Sequence, residues 1–268
     1  MNNREHINKW LEYEKAGTFD LDVNPVDWDD CYPVTEDFPY VQRNIFKRFT
    51  NFLKRKFVVA PFCRKINKRE RNTIVVGREN LKGIKSAILT CNHVYIFDCL
   101  AVKYAVKHKM KFVAAEFNNR KGFLGDMMRA EGIMPLSAKL SVQRKFAKAL
   151  GEHLKTGHYV LFYPEQAMWY QYDKPRPLKN GAFRYAEKFD VPVVPTFITY
   201  RDSGQVDSDG VKIMHFTVHI LKPIFPPENM SANERAQYLK ERTFAAYKDL
   251  YERTYGKPLE YKTEADSL

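Results

Sequence analysis

The stretch SAILTCNHVYIFD, from Ser86 to Asp98, joins a short apolar run to the start of a helical pattern. Residues 86–91 predict a buried strand, and residues 97–108 predict the helix that follows it. His93 and Asp98 fall on the connection between these two elements. We therefore expect a histidine and a carboxylate close together at the end of a strand.

Strand and helix continue to alternate from Thr73 onward. The other predicted strands are 73–76, 111–115, 158–163, 191–199 and 212–221, and the other predicted helices are 122–131, 140–155, 180–188 and 232–255. Ser231 and Glu234 predict a capping box at the start of the last helix. This alternation predicts an α/β fold with a mostly parallel central sheet flanked by helices.

The pairing of His93 with Asp98 suits proton transfer. Histidine is the usual general base near neutral pH, and a carboxylate fixes its tautomer and stabilises the imidazolium that forms. In one continuous helix the two side chains would point about 140° apart. We therefore predict that His93 lies on the turn and that Asp98 reaches back from the start of the helix. Taken alone, an ordinary loop histidine and a carboxylate that complements the helix dipole would explain the same spacing.

Length and charge indicate one α/β domain with a basic extension. The chain has 268 residues, 44% of them hydrophobic, and Lys and Arg (44) exceed Asp and Glu (32) by 12, which favours an anionic partner. Residues 43–71 contain eleven basic residues against Glu70 alone. We predict an acidic N-terminal extension at 1–37, with a short helix around Trp10 and Leu11 and then a solvated loop at 19–37 that covers the basic domain. A basic amphipathic membrane-associating segment at 38–71 follows, and then the α/β domain.

Residues 41–60 predict a basic amphipathic helix. Its apolar residues, which begin with Val41 and Ile45, lie within an arc of about 160°, with the basic residues opposite. Such a helix either packs its apolar face on the protein core or lies in the interface of an anionic membrane. Under the second interpretation, the residues that contact the membrane are Phe46, Phe49, Phe52, Leu53 and Phe57.

The remaining composition argues against other classes of protein. The cysteines Cys31, Cys63, Cys91 and Cys99 show neither a metal-binding spacing nor the density of a disulfide scaffold, so we expect reduced thiols, a cytosolic setting and no metal site. The N-terminus lacks the apolar region of a signal peptide, and no run approaches the ~20 apolar residues of a spanning helix. We expect a peripheral or monotopic protein at the cytoplasmic face of a membrane.

Three further motifs follow the His93 to Asp98 stretch in a fixed order. With it they resemble the 1-acylglycerol-3-phosphate O-acyltransferase family of glycerolipid acyltransferases (PlsC-like), marked by Asn-His-x4-Asp, a Gly-led motif, a Phe-Pro-Glu-Gly type motif and Val-Pro-x-Val-Pro. The four stand here at Asn92–Asp98, Gly132–Ser137, Phe162–Gln166 and Val191–Pro195. The ordered set is far more specific than any single motif.

The resemblance implies an O-acyltransferase of phospholipid biosynthesis, whose domain occupies 72–268. His93 would deprotonate the acceptor hydroxyl and Asp98 would hold the imidazole. Acyl-CoA or acyl carrier protein (acyl-ACP) would be the co-substrate, with no bound cofactor, and the acceptor would be a lyso-lipid, first of all 1-acyl-sn-glycerol-3-phosphate. The motif residues implied in substrate binding are Asn92, Gly132 and Glu165.

Two departures from the family motifs concern the acceptor phosphate. The second motif normally ends in an arginine, where this chain has Leu136–Ser137, and the third often continues Gly-Thr-Arg, where this chain has Gln166–Met168. Other cations would have to bind a phosphate, although each alone is expected to be a solvated surface charge. These cations are Lys139, Arg144, Lys174, Arg176 and Lys179.

Three alternatives stay open at this point. In the first, the acceptor is another hydroxyl or amino lipid. In the second, Cys91 or Cys99 takes the acyl group first, although such cysteines are more commonly small buried thiols of the core. From a different class, the basic stripe at 43–71 would bind nucleic acid. Its broad apolar face and the absence of a known reader motif argue against a nucleic-acid partner.

Overall fold

A seven-stranded sheet lies at the centre of the computed structural model, which describes residues 1–24 and 26–263. Pro25 of the predicted N-terminal extension and residues 264–268 of the predicted acyltransferase domain lie outside the described residues. The strands are β1 (Ile74–Val76), β2 (Ala87–Thr90), β3 (Met110–Ala114), β4 (Ile133–Pro135), β5 (Tyr159–Phe162), β6 (Val193–Val206) and β7 (Lys212–Ile220). Their order is β1-β7-β6-β2-β5-β3-β4, and every neighbouring pair is parallel except β6 with β7.

Eight α-helices are present in the described ranges. They are α1 (Asn3–Lys15), α2 (Ile45–Lys54), α3 (Ala60–Lys65), α4 (Asp98–Val106), α5 (Gly122–Glu131), α6 (Leu140–Lys155), α7 (Gly181–Lys188) and α8 (Ala232–Tyr255). The predicted α/β class is confirmed, and the capping box of Ser231 and Glu234 forms at α8. The sequence pattern does not predict β4, because three residues are too few to show a period.

Alternate side chains of the central strands enter two separate cores. In β2, Ile88 packs with residues of α6, α7 and α8, whereas Leu89 packs with residues of α4. The whole of β2 is buried, because helices cover both faces of a parallel sheet. The four parallel strands β2 to β5 end together at one side of the sheet, called here the carboxyl edge, and begin together at the amino edge. His93 follows β2 at the carboxyl edge.

The N-terminal extension packs on the protein, and α1 forms the predicted helix around Trp10 and Leu11. Trp10 stacks on Trp169 with ring centroids 6.3 Å apart, and its indole N–H donates to the carbonyl of Tyr170 over 3.0 Å. Val23 and Val34 are buried. The acidic residues at 20–37 are exposed, as predicted, while apolar residues of the extension cover the segment that follows β5.

The basic segment forms a longer helix than the sequence predicts. It begins at Ile45, and π-helical turns at Arg55–Val59 and Ile66–Glu70 continue α2 and α3 as far as residue 70. The second half packs on the protein, where Cys63 and Ile66 join one core cluster. The second half of the helix is therefore covered by the protein core, as the first interpretation expects.

The first half of this helix leaves its apolar side chains uncovered. Within α2 no residue is buried. Of the predicted membrane residues, Phe46 is 78% exposed, Phe49 61%, Phe52 48% and Phe57 64%, while Leu53 is half-buried. No helix within residues 1–24 and 26–263 combines the length and apolar composition needed to cross a bilayer.

Candidate active site

His93 and Asp98 are in contact at the carboxyl edge of the sheet. Asp98 is the first residue of α4, and its Oδ2 lies 2.8 Å from Nδ1 of His93. The side chain of His93 is 23% exposed and that of Asp98 is 1% exposed, so the imidazole connects a buried anion to the protein surface. The predicted geometry is confirmed, and the catalytic roles of the two residues remain a prediction.

The surroundings of Asp98 determine which nitrogen of His93 carries the proton. Oδ2 of Asp98 also accepts the backbone N–H groups of Val94 (2.9 Å) and Tyr95 (3.2 Å). Because an ionised carboxylate can only accept, Nδ1 of His93 donates to it and Nε2 keeps a free lone pair. That lone pair can accept a proton from a bound hydroxyl.

Tyr163 is a third member of the site, and sequence reasoning did not identify it. Its hydroxyl donates to Oδ1 of Asp98 over 2.5 Å, and its ring stacks on His93 with centroids 4.0 Å apart. Burial and the charge of Asp98 raise the pKa of the Tyr163 hydroxyl well above its usual value, so it remains a donor. The parallel pairing of β2 with β5 brings Tyr163 beside the residues that follow β2.

A buried ion pair supports the backbone of His93. Nη2 of Arg176 lies 2.9 Å from Oε2 of Glu165, with the two side chains 0% and 1% exposed. The same oxygen of Glu165 accepts the backbone N–H of His93 (3.2 Å), and Nη2 of Arg176 donates to the His93 carbonyl (3.5 Å). The pair thereby holds the turn that carries the imidazole.

Known proteins share the sequence pattern and the fold that carry this site. A family model described as Acyltransferase matches residues 72–199, which include His93, Asp98 and Glu165. Residues 72–199 of this chain therefore match the acyltransferase family. The crystal structure of the 1-acyl-sn-glycerophosphate (LPA) acyltransferase PlsC from Thermotoga maritima is similar in fold, with a TM-score of 0.56 and 21% sequence identity over 80% of this chain and 89% of that one. Comparison with curated proteins gives no match.

The match to this family model confirms the predicted O-acyltransferase enzyme. The matched residues fall inside the predicted domain at 72–268, and they span the parallel strands β2 to β5 together with the first part of β6. The contacts of His93 therefore belong to the part of the acyltransferase that defines the family.

Three of the five cations proposed for phosphate binding are held by carboxylates of the acyltransferase. Lys174 pairs with Glu14 at 2.5 Å and Lys179 with Asp20 at 2.6 Å, while Arg176 is in the buried pair described above. The expectation of solvated charges is wrong for Arg176, which is fully buried, and for Lys174, whose side chain is 12% exposed. The partners of Lys174 and Lys179 lie about 160 residues away in sequence, whereas Glu165 is 11 residues from Arg176.

Lys139 and Arg144 are the two exposed cations of that set without an ion pair to any residue in the described parts of the chain. Lys139 stands immediately before α6, just beyond the end of β4. It therefore lies at the carboxyl edge of the acyltransferase sheet, the edge that carries His93. This placement makes Lys139 the better candidate for an acceptor phosphate.

Asn92 and Gly132 are not brought to the surface of the site. The buried side chain of Asn92 bonds to the backbone N–H (2.8 Å) and carbonyl (3.0 Å) of Ile198, and so ties the turn after β2 to β6. Gly132 lies at the start of β4, at the amino edge. The structure therefore gives Asn92 a supporting contact and separates Gly132 from His93.

Replacing Glu165 tests the supporting role of the buried pair. Glu165→Gln leaves the buried guanidinium of Arg176 without its anion, so we expect the free energy of unfolding to fall by about 3–5 kcal/mol. The matched control is Asp20→Asn, which breaks a half-exposed pair with Lys179 and should cost about 1 kcal/mol or less. Urea denaturation measures both losses, and equal losses would contradict the role assigned to Glu165.

Proposed function

We propose that this acyltransferase moves a fatty acyl group from acyl-CoA or acyl-ACP to the hydroxyl of a lyso-lipid, with 1-acyl-sn-glycerol-3-phosphate as the first candidate acceptor. The observation that carries the proposal is the 2.8 Å contact between the part-exposed His93 and the buried Asp98. It lies inside the family-matched residues. The similar structure is that of an LPA acyltransferase, which supports this class of acceptor.

In the proposed reaction, Nε2 of His93 takes the proton of the acceptor hydroxyl while the oxygen attacks the thioester carbonyl. The tetrahedral intermediate collapses with cleavage of the carbon–sulfur bond, which leaves an ester on the acceptor. The departing thiolate receives the proton from the His93 imidazolium and leaves as a thiol. Asp98 stabilises that imidazolium through its contact with Nδ1.

The cysteines beside the pair support direct transfer without an acyl-enzyme. Burial raises the pKa of Cys91 well above its usual value and raises the pKa of Cys99 to about 12. The thiolate is the nucleophilic form of cysteine. Both thiols are therefore protonated at neutral pH and poorly suited to take the acyl group first.

Lys139 supports an acceptor that carries a phosphate, because a lysine binds phosphate as a point charge. A second candidate is an acceptor without a terminal phosphate, such as an aminolipid. It is favoured by the ion pairs that already occupy Lys174, Arg176 and Lys179. The first candidate would bring a negatively charged phosphate to Lys139, whereas the second would not.

Attachment to the cytoplasmic surface of a membrane is part of the proposal. The exposed rings of α2 and the basic residues opposite them suit an anionic interface. At the carboxyl edge, Ile96, Phe123 and Leu140 are 57%, 70% and 62% exposed, and each follows the end of a parallel strand. Exposed apolar groups around the mouth of a site favour contact with lipid.

The proposed base is tested by His93→Ala. We expect kcat/KM to fall by about 100-fold or more, because the acceptor hydroxyl loses its general base, whereas Cys91→Ala should retain most activity. Labelled acyl-CoA and acyl-ACP are each incubated with lysophosphatidate, lysophosphatidylethanolamine and a lyso-aminolipid. An inactive Cys91→Ala protein of normal fold would refute direct transfer.

The same panel separates the acceptors. Conversion of lysophosphatidate, reduced in Lys139→Met, supports the first candidate. Conversion of only the other acceptors supports the second. Failure of the unaltered protein to acylate any lyso-lipid with either donor would overturn the proposed function.

Tyr163→Phe isolates the hydrogen bond to Asp98, since the phenyl ring still stacks on His93. We expect kcat to fall about tenfold with KM unchanged, because a hydrogen bond to a charged group contributes about 1.5–3 kcal/mol. The matched control is Tyr185→Phe, a half-buried tyrosine outside the site. Equal activity of the two variants would exclude a positioning role for Tyr163.

Membrane attachment is tested by the double variant Phe46→Ala/Phe57→Ala. Each ring contributes roughly 1.5 kcal/mol or more when it leaves water, so partition into anionic vesicles should fall roughly 100-fold. Phe225→Ala, at an exposed ring outside α2 (58%), is the control. Vesicle flotation provides the measurement, and unchanged partition of the double variant would count against attachment through α2.

A further inference from the structure

A groove of about 2000 Å³ lies between α2 and the amino edge of the sheet. It is lined by residues that precede the parallel strands, among them Lys85 before β2, Lys109 before β3 and His158 before β5. β2 is roughly 13 Å long at about 3.3 Å per residue, and His93 follows its opposite end. The groove is therefore separate from the candidate active site, and the reaction proposed there makes no use of it.

The α2 wall of the groove carries a row of uncovered apolar side chains beside the basic residues Lys47 and Arg48. Ile45, Phe49 and Phe52 line it and are 71%, 61% and 48% exposed. Their spacing of four and three residues places them on one face of α2. An aromatic face above an open cleft gains hydrophobic stabilisation only when apolar groups cover it.

The opposite wall carries cations without anionic partners. They are Lys85, Lys107, Lys109 and Lys111, and none of their amines makes an ion pair or hydrogen bond with a residue in the described ranges. The two carboxylates of the groove are already engaged, Glu131 with Lys103 and Asp126 with Arg129. The groove therefore presents an apolar surface facing uncompensated positive charge.

Lys111 is the cation that most needs a counter-ion. It lies against the backbone of Gly132, where an added Cβ would come within 2.8 Å of its Nζ. Burial, with the neighbouring charges of Arg55 and Lys103, lowers the pKa of Lys111 to about 8. A partly buried ammonium without a partner is unfavourable, and an anion bound beside it would remove that cost.

We propose that the groove binds one anionic phospholipid, with its phosphate at Lys111 and an acyl chain along Ile45, Phe49 and Phe52. This lipid is distinct from the acyl acceptor, and its supply rests on the proposed membrane attachment. A phospholipid fits because it joins a phosphate to an apolar chain, which matches the cations of the groove and the apolar row on α2. Because Gly132 has no Cβ, the side chain of Lys111 has room beside it and its ammonium can contact the phosphate.

The test measures thermal stability with water-soluble dihexanoyl phosphatidylglycerol, dihexanoyl phosphatidylcholine and inorganic phosphate. Phosphatidylglycerol should raise the Tm of the unaltered protein in a saturable way, and phosphatidylcholine and phosphate should raise it far less. In Lys111→Met, and independently in Phe49→Ala, the apparent Kd should rise roughly tenfold. Lys222→Met, at an exposed lysine outside the groove, should leave it unchanged.

Several results would overturn the inference. An equal Tm shift in Lys111→Met and the unaltered protein would do so, as would a full shift from phosphate alone. Loss of the shift in His93→Ala would assign the lipid to the active site instead. A Tm that rises with protein concentration but not with lipid would assign the groove to a second copy of the chain. Because no readout uses acyl transfer, failure of the proposed function leaves this test independent.

Discussion

The carboxylate of Asp98 is a buried anion that must be surrounded by donors, since an unpaired charge in the interior is strongly destabilising. Its donors come from two parts of the chain: the turn after β2, through His93 and two backbone N–H groups, and the end of β5, through Tyr163. Satisfying this charge fixes the path of the turn, the orientation of the imidazole and its tautomer together. Nε2 of His93 stays free at the surface because Nδ1 donates its hydrogen to the buried carboxylate of Asp98.

The strands, helices and the contact of His93 with Asp98 could be predicted because each depends on neighbours in sequence. Apolar runs and helical periods are local patterns, and a turn histidine followed by a first-turn carboxylate is a local geometry. Tyr163 and Arg176 could not be placed in this way, since they reach Asp98 and His93 across 65 and 83 residues. Only the pairing of β2 with β5 brings them together. A guanidinium in a polar, proline-rich stretch looks like surface charge until its buried partner Glu165 is known.

The departures from the family motifs have different physical meanings. Gln166 stands where the third motif has glycine, yet it adopts φ +69°, a left-handed conformation that costs a non-glycine residue roughly 1 kcal/mol. This turn directly follows Glu165, whose carboxylate contacts Arg176 and the backbone of His93. The missing arginines are a change in chemistry, because Arg176, the buried guanidinium nearest the third motif, is already paired with Glu165.

The long helix at 45–70 links the site to the surface proposed for lipid. Its second half is fixed in the core cluster that also contains Leu100 of α4, two residues after Asp98. Because the π-helical turns continue the helix, the orientation of the exposed first half is set by the same packing that surrounds the start of α4. A membrane that holds Phe46 and Phe57 would therefore also orient the carboxyl edge, so that attachment positions the imidazole relative to the bilayer. Sequence periodicity shows the amphipathic face, but only the packed half determines the direction in which that face points.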